Sequence, residues 1–216
     1  MSLFTLCIET IFPKKCAGCN VRGSLVCNSC KHSLAPASTP AYGFITSIFA
    51  YGNPVVRKLI HSLKYENGRY VASFFASYMS SSLIEFLGEE KLFHGSSPVL
   101  LVPVPLSKKR MKARGYNQSE LLITTMLKQY PMDNVCLERN LVCKIKDTIP
   151  QAEIKKRNLR LLNQRDCFGV ISNNKTKNET VIIVDDVTTT GATLTAVRDV
   201  LKQAGFKKVY ALTIAH

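Results

Sequence analysis

No stretch of the 216-residue sequence is long and apolar enough to cross a membrane. Residues 1–6 also lack a basic side chain, and Glu9 follows soon after, which argues against a secretory leader. We therefore expect a cytoplasmic protein with no integral membrane segment. The apolar content of 46% is ordinary for a soluble globular protein, and the length suffices for one full domain with a small appendage.

Acidic side chains are scarce: 15 stand against 29 basic ones, a formal net charge of +14. Residues 101–177 carry 16 basic and 6 acidic side chains, whereas residues 178–216 carry 4 of each. A solvated cationic surface is one explanation. An excess this localised indicates a polyanion such as nucleic acid, or a strongly anionic ligand.

The cysteines fall into two sets. Cys16 and Cys19 form one C-x2-C pair, Cys27 and Cys30 form a second, and seven residues separate the pairs. Four thiolates at this spacing are typical of one tetrahedral structural Zn²⁺, and such a site leaves no open position for catalysis. A disulfide framework is the alternative, which a cytoplasmic location disfavours. The remaining cysteines are expected to be buried apolar side chains: Cys7, Cys136, Cys143 and Cys167.

The stretch 181–205 has the most informative pattern. Val181–Val184 is a short β-branched run that predicts a buried strand, and two carboxylates follow it directly. A turn of small, hydroxylated residues comes next, then a helical pattern that ends at Gly205. Backbone N–H groups, hydroxyls and a helix N-terminus in one small volume suit a phosphate, and the carboxylates suit sugar hydroxyls or a divalent cation. An ordinary strand-loop-helix unit is the alternative reading. The candidate residues are Asp185, Asp186, Thr188, Thr189, Thr190, Gly191, Ala192 and Thr193.

This order of groups resembles the ribose-phosphate signature of type I phosphoribosyltransferases. The resemblance implies that the acidic pair takes the ribose 2′- and 3′-hydroxyls of phosphoribosyl pyrophosphate (PRPP). It also implies that the loop holds the 5′-phosphate, and that Mg²⁺ accompanies PRPP. The expected fold class is α/β, a parallel-sheet domain of the type I phosphoribosyltransferase kind with a small N-terminal zinc-binding module.

A second strand with cationic residues lies at 98–110. Pro98–Pro105 predicts a buried strand, and a basic loop with Lys108, Lys109 and Arg110 follows it. Ligands of doubly wound sheets bind beyond the carboxyl ends of the strands, so this loop is placed to hold the pyrophosphate of PRPP. A solvated loop is the alternative for each of these residues.

The stretch 144–177 alternates Lys and Arg with Asn and Gln, and a helix is predicted near 151–164. Such side chains suit phosphate contact, and Tyr116 or Phe168 is placed to stack on a base. A solvated helix face is again the alternative. The candidate nucleic-acid-binding residues are Arg114, Lys144, Lys146, Lys155, Lys156, Arg157, Arg160 and Arg165.

The rest of the chain gives a coarse outline. Residues 1–40 are expected to form a short helix, the four-cysteine module and a linker over 31–40, and residues 41–216 the main domain. Asn53 and Pro54 predict the start of a helix that runs to Tyr65, with Gly68 as its stop. The remaining predicted elements are a strand over 42–51 and helices near 1–12 and 71–87.

Six segments in succession resemble the ComF/ComFC family of competence proteins. They are the four-cysteine module, HSLKY at 61–65, VPVP at 102–105, RGYNQ at 114–118, the RNL…NQ run at 157–164 and VDDVTTTGAT at 184–193. The resemblance implies a protein that handles incoming single-stranded DNA in the cytoplasm, including at the inner-membrane uptake site. It implies a competence helicase or recombination mediator as partner. Two alternatives stay open: phosphoribosyl transfer to an unidentified base or amine, and a zinc-dependent adaptor for DNA-uptake helicase machinery.

Overall fold

The structure is a computed structural model, and it describes residues 15–38, 42–65, 68–89, 98–145, 167–171 and 179–216. The helices predicted near 1–12 and 151–164 lie outside these residues. In chain order the described elements are α1 (Asn28–His32), β1 (Ile45–Phe49), α2 (Pro54–Tyr65), α3 (Gly68–Glu89), β2 (Val99–Pro103), α4 (Lys108–Arg114), α5 (Gln118–Gln129), β3 (Val135–Leu137), β4 (Val142–Lys144), β5 (Phe168–Val170), β6 (Thr180–Val187), α6 (Ala192–Gln203) and β7 (Lys208–Ala215).

Five strands form one parallel sheet in the order β1-β7-β6-β2-β3. The two strands predicted to be buried, β2 and β6, are neighbours inside this sheet, and every residue of β2 is buried. A separate antiparallel pair joins β4 to β5. The expected α/β fold class is confirmed.

Alternate residues of β6 supply two hydrophobic clusters, because successive side chains of a strand point to opposite faces. Ile182 and Val184 pack into a cluster with the buried sides of α2, α3 and α5. Val181 and Ile183 pack into a second cluster with α6 and the β4–β5 pair. Helices therefore cover one face of the sheet, and α6 with the small antiparallel pair covers the other.

The prediction that Gly68 stops a helix is wrong. Helix α2 does end at Tyr65, but Gly68 is the first residue of α3. A β-carbon at position 68 would collide with the hydroxyl of Tyr116, so this glycine serves a close tertiary contact. The predicted cap at Asn53 is confirmed, since its Oδ1 accepts from the backbone N–H of Val55 at 2.9 Å.

The segment predicted as a linker runs along β1. Ala37 N donates to Ile48 O at 3.1 Å, and Ala50 N donates to Ala35 O at 3.0 Å. The four-cysteine module also packs on the main domain, because Val26 belongs to the cluster that contains α2 and α3. A boundary near residue 40 stays a prediction.

The expectation for the unclustered cysteines holds only in part. Cys167 is buried, Cys143 is half-buried, and Cys136 is exposed on the edge strand β3, which corrects its predicted burial. Cys7 lies outside the described residues.

No helix in the part of the chain that the structure describes combines the length and apolar character needed to span a membrane.

Candidate metal and ligand-binding sites

The four clustered cysteines meet at one point. Their sulfur atoms all lie within 4.8 Å of one another, and Cys19 Sγ is 3.6 Å from Cys27 Sγ. Zn–S bonds of about 2.3 Å in a tetrahedron place sulfur atoms about 3.8 Å apart. The donor set and its spacing therefore fit a single metal ion, as the C-x2-C pairs predict.

Backbone geometry prepares the cluster for thiolates. Burial acts to raise the pKa of Cys16, but N–H groups of Cys19, Cys27 and Gly18 outweigh it and lower that pKa to about 6. The neighbouring Cys27 and Cys16 side chains raise the pKa of Cys30 to about 12. The first thiolate thus opposes ionisation of the next, and a cation is needed before all four can ionise.

Gly18 is required by the same geometry. A β-carbon there would come within 2.5 Å of Cys30 Sγ and 3.2 Å of Val55 Cγ2. The glycine lets the Cys16–Cys19 turn lie against both Cys30 and α2.

The acidic pair lies at the carboxyl end of β6, where the sequence places it. Asp186 N donates to Asp185 Oδ1 at 2.9 Å, and the hydroxyl of Ser119 donates to the same oxygen at 3.2 Å. Burial, aided by the adjacent Asp186 charge, raises the pKa of Asp185 to about 7. Its carboxyl group therefore changes protonation near neutral pH.

Lys64 is a site residue that the sequence reasoning missed. Its Nζ lies 2.7 Å from Asp186 Oδ2, in an ion pair without hydrogen-bond alignment, and Asp186 is only 8% exposed. Lys64 comes from the last turn of α2, far from Asp186 in sequence. Its place in the HSLKY segment was the available signal.

The TTTGAT loop turns directly into α6. Gly191 adopts a φ of +72° and precedes the first helical residue, Ala192, whose N–H donates to Thr190 Oγ1 at 3.4 Å. The first turn of α6 therefore begins six residues after Asp186, and the N–H groups at a helix N-terminus suit an anion.

The RGYNQ segment lies beside this site and connects α2, the end of β2 and α5 through hydrogen bonds. Asn117 caps α5 and also donates through Nδ2 to Val104 O at 2.9 Å, while Val104 N donates to Val184 O at 3.0 Å. The hydroxyl of Tyr116 donates to Leu63 O, next to Lys64. The segments HSLKY, VPVP, RGYNQ and VDDVTTTGAT thus meet at one edge of the sheet.

Lys108, Lys109 and Arg110 follow β2 at the same edge, since β2 and β6 are parallel neighbours. They form the first turn of the short helix α4, capped by Ser107 Oγ, which accepts from Arg110 N at 3.2 Å. This corrects the predicted loop: a serine cap and a run of good helix formers favour a helix. Their part in ligand binding stays a prediction.

Two of the predicted nucleic-acid residues are described. Arg114 Nη1 donates to Gln118 Oε1 at 2.9 Å, and its guanidinium lies 5.4 Å from the Tyr65 ring centre. Contacts within the RGYNQ segment and with the end of α2 therefore hold this arginine. Lys144 Nζ lies 5.4 Å from the ring centre of Phe168. Phe168 is only 3% exposed, so the prediction that it stacks on a base is wrong. The other candidates lie outside the described residues: Lys146, Lys155, Lys156, Arg157, Arg160 and Arg165.

Comparison with known proteins gives matches to one domain family and to competence proteins. Residues 150–216 match the family model of the phosphoribosyl transferase domain. Competence protein F of Haemophilus influenzae is 31% identical over 119 residues, which is 55% of this chain and 50% of that protein. Competence protein ComFC of Bacillus subtilis is 28% identical over 169 residues, 78% of this chain and 62% of that protein. Competence protein ComFC of Streptococcus pneumoniae is 26% identical over 208 residues, 96% of this chain and 78% of that protein.

The predicted resemblance to the ComF/ComFC competence proteins is confirmed. This chain spans about half the length of the Haemophilus relative. A hypoxanthine phosphoribosyltransferase from Staphylococcus aureus superposes with a TM-score of 0.37 at 13% identity, over 65% of this chain and 62% of that one.

Proposed function

We propose that this protein binds PRPP at the acidic pair and the TTTGAT loop, and binds single-stranded DNA during DNA uptake. The observation that carries the proposal is the junction at the end of β6. Two carboxylates, an ion-paired lysine and a glycine-led helix N-terminus occupy one edge of the parallel sheet there.

Each group at this junction matches one part of PRPP. The carboxylate oxygens of Asp185 and Asp186 accept hydrogen bonds from the ribose 2′- and 3′-hydroxyls, or hold a divalent cation. The N–H groups around Gly191 and the threonine hydroxyls donate to the 5′-phosphate. Lys108, Lys109 and Arg110 at the same edge suit the pyrophosphate, and Mg²⁺ enters with that group.

We further propose that the four-cysteine cluster holds Zn²⁺ as a structural ion. Thiolate ligands select Zn²⁺ over Mg²⁺ or Ca²⁺, and four protein ligands leave no position for substrate. The bound ion supplies folding energy to the module, and the four cysteines hold it.

The relatives named competence proteins support the role in DNA uptake, together with the basic excess in residues 101–177. We infer a cytoplasmic protein that meets incoming DNA, also at the inner-membrane uptake site. We infer a competence helicase or a recombination mediator as the partner class.

Titration calorimetry with PRPP and Mg²⁺ tests the ligand. The double variant Asp185→Asn/Asp186→Asn should lose most of the affinity, because neutral amides make weaker bonds to ribose hydroxyls and hold no cation. Gly191→Val should also weaken binding, because a β-carbon at a φ of +72° would collide with the Tyr42 ring and distort the loop. A matched pair of exposed acids, Glu85→Gln/Asp133→Asn, should bind as the unmodified protein does. Unchanged affinity in the Asp185/Asp186 variant would place the site elsewhere.

One observation also favours the transferase alternative. A carboxyl group whose pKa lies near 7, as that of Asp185 does, is suited to accept a proton from an attacking acceptor. Incubation with labelled PRPP and a panel of bases and amines, with pyrophosphate release as the readout, tests this function. Release that depends on one acceptor supports transfer, and binding without release supports the binding role.

The DNA-binding role is tested through its salt dependence. For single strands, log K against log salt should fall with a slope of about −0.7 per phosphate contacted. The variant Lys155→Glu/Lys156→Glu/Arg157→Glu should flatten the slope and weaken binding to all sequences alike, because phosphate contacts carry no base information. We expect it to keep its PRPP affinity. A salt-independent constant for the unmodified protein would contradict the role.

A further inference from the structure

An open groove of about 590 Å³ lies beside α6, outside the site at the end of β6. Three parts of the chain line it: the turn that leads into β1, the outer side of α6 and the start of β7. The side chains that matter here are Tyr42, Phe44, Arg198, Lys202, Lys207 and Lys208.

The groove is strongly cationic. Lys202, Lys207 and Lys208 are exposed, Arg198 is half-buried, and none of these four forms an ion pair with an acidic side chain among the described residues. The Nζ of Lys202 donates to the backbone carbonyl of Lys207, which keeps two of the lysines together. The exposed Asp199 is the acidic neighbour on α6, and it does not line the groove. The lysine charges are therefore available to an anion.

Aromatic rings lie beside these charges. Tyr42 and Phe44 are half-buried, with ring centres 5.9 Å apart. The guanidinium of Arg198 lies 4.4 Å from the Phe44 ring centre, and its Nε donates to Val209 O at 3.4 Å. Phe44 thus fixes Arg198, while Tyr42 presents a ring at the groove wall. Cations that bind phosphates next to rings on which bases stack are typical of single-stranded nucleic-acid sites.

The strand register separates this groove from the acidic pair. Asp185 of β6 lies opposite Thr213, whereas Lys208 is opposite Thr180 at the other end of the sheet. Five residues of strand at about 3.3 Å each set the two levels about 16 Å apart. Tyr42 of the groove lies against the TTTGAT loop, since a β-carbon at Gly191 would come within 2.8 Å of the Tyr42 ring. A nucleic-acid strand in the groove would therefore approach the TTTGAT loop at Tyr42 and at Thr195, whose N–H donates to Gly191 O at 2.8 Å.

We propose that this groove binds single-stranded nucleic acid, with Lys202, Lys207 and Lys208 contacting phosphates and Tyr42 stacking on a base. The ligand class rests on the proposed function, and the location is independent of it. Stacking requires unpaired bases, so the groove discriminates single strands from a duplex.

The test uses fluorescence anisotropy of a labelled oligothymidylate across a salt series. The variant Lys202→Gln/Lys207→Gln/Lys208→Gln removes three cations, so the slope of log K against log salt should become about 2 less negative. Affinity should fall at least tenfold at low salt. Arg57→Gln/Lys58→Gln/Lys128→Gln removes the same charge from exposed positions on α2 and α5, and should retain binding. Photocrosslinking with an iodouracil-substituted strand should label Tyr42.

The outcomes separate this proposal from the function on which it rests. Groove and control variants that bind equally, or crosslinks confined to residues 146–166, overturn the groove while DNA binding stands. No binding by the unmodified protein overturns both. Equal affinity for duplex and single strand, lost in the groove variant, overturns the stacking assignment. Both lysine variants should keep PRPP affinity and thermal midpoint, which excludes misfolding as the cause.

Discussion

The four-cysteine cluster and the acidic pair are both sets of like side chains held in close contact, yet they affect the fold in opposite ways. The module that carries the cysteines has few buried apolar side chains of its own, so a bound cation stabilises it. The acidic pair ends a strand whose apolar residues are already buried. Ionisation of the buried Asp185 lowers stability, and the surrounding core holds this carboxylate in place. We therefore expect the first site to depend on its ligand for folding, whereas the second is built by the fold in advance.

The largest effect should follow from breaking the metal cluster. Cys27→Ser should abolish stoichiometric metal binding, about one ion per chain, and unfold the module, because structural zinc contributes about 10–16 kcal/mol of binding free energy. Elemental analysis and hydrogen exchange of the amides in 16–30 measure both. Cys143→Ser, outside the cluster, should keep metal and module. A metal-free protein whose module exchanges as slowly as before would contradict the comparison. PRPP binding should be largely preserved.

A smaller effect should come from Gly18→Ala. The added methyl group crowds Cys30 Sγ, and overpacking of this kind costs about 1–3 kcal/mol, so metal affinity should fall about tenfold to a hundredfold. Competition with a chromophoric chelator measures it. Gly52→Ala, where an added carbon meets nothing within 4 Å, is the control. Equal metal affinity for both variants would show that the Cys16–Cys19 turn accommodates the added methyl group without cost.

A substitution in the acidic pair should increase thermal stability, in contrast to the substitutions in the metal cluster. Burial raises the pKa of Asp185 from 3.8 to about 7, so its destabilising charge is absent below pH 4 and complete above pH 7. Asp185→Asn should therefore raise the thermal midpoint at pH 8 by several degrees, and the difference should vanish near pH 4. Circular dichroism melts at both pH values decide it. The exposed Asp133→Asn should show no such pH dependence, and a variant less stable at pH 8 would reverse the comparison.

The smallest effect concerns Ser119. Its hydroxyl donates to Asp185 Oδ1 and lowers the pKa of that carboxyl group. Ser119→Ala should therefore raise the Asp185 pKa slightly further, since one donor to the charged form is lost. Carbon-13 NMR titration of the side-chain carboxyl groups measures the shift. Thr124→Ala, on the same helix but bonded to the backbone oxygen of Glu120, should leave the titration unchanged.

Errors in the sequence reading occur where a residue serves a distant contact. Gly68 predicts a helix stop by its local flexibility, but its small size makes room for Tyr116. Phe168 suits base stacking by residue type, yet it is buried against the second cluster. Lys64 gives no local sign of its ion pair with Asp186. In each case a contact between residues far apart in the chain outweighs the local pattern.

Local patterns are sufficient to predict the features whose partners lie close together in the chain. These include the paired cysteines, the buried strand that ends in Asp185 and Asp186, and the glycine-led start of α6, because spacing and residue type fix such units locally. Long-range packing brings Lys64, Ser119 and the RGYNQ segment to the acidic pair. It also gathers aromatic side chains of the turn before β1 with basic side chains of α6 and the start of β7 in one groove. Strand order and the direction of parallel crossovers set those meetings, and neither can be read from local periodicity.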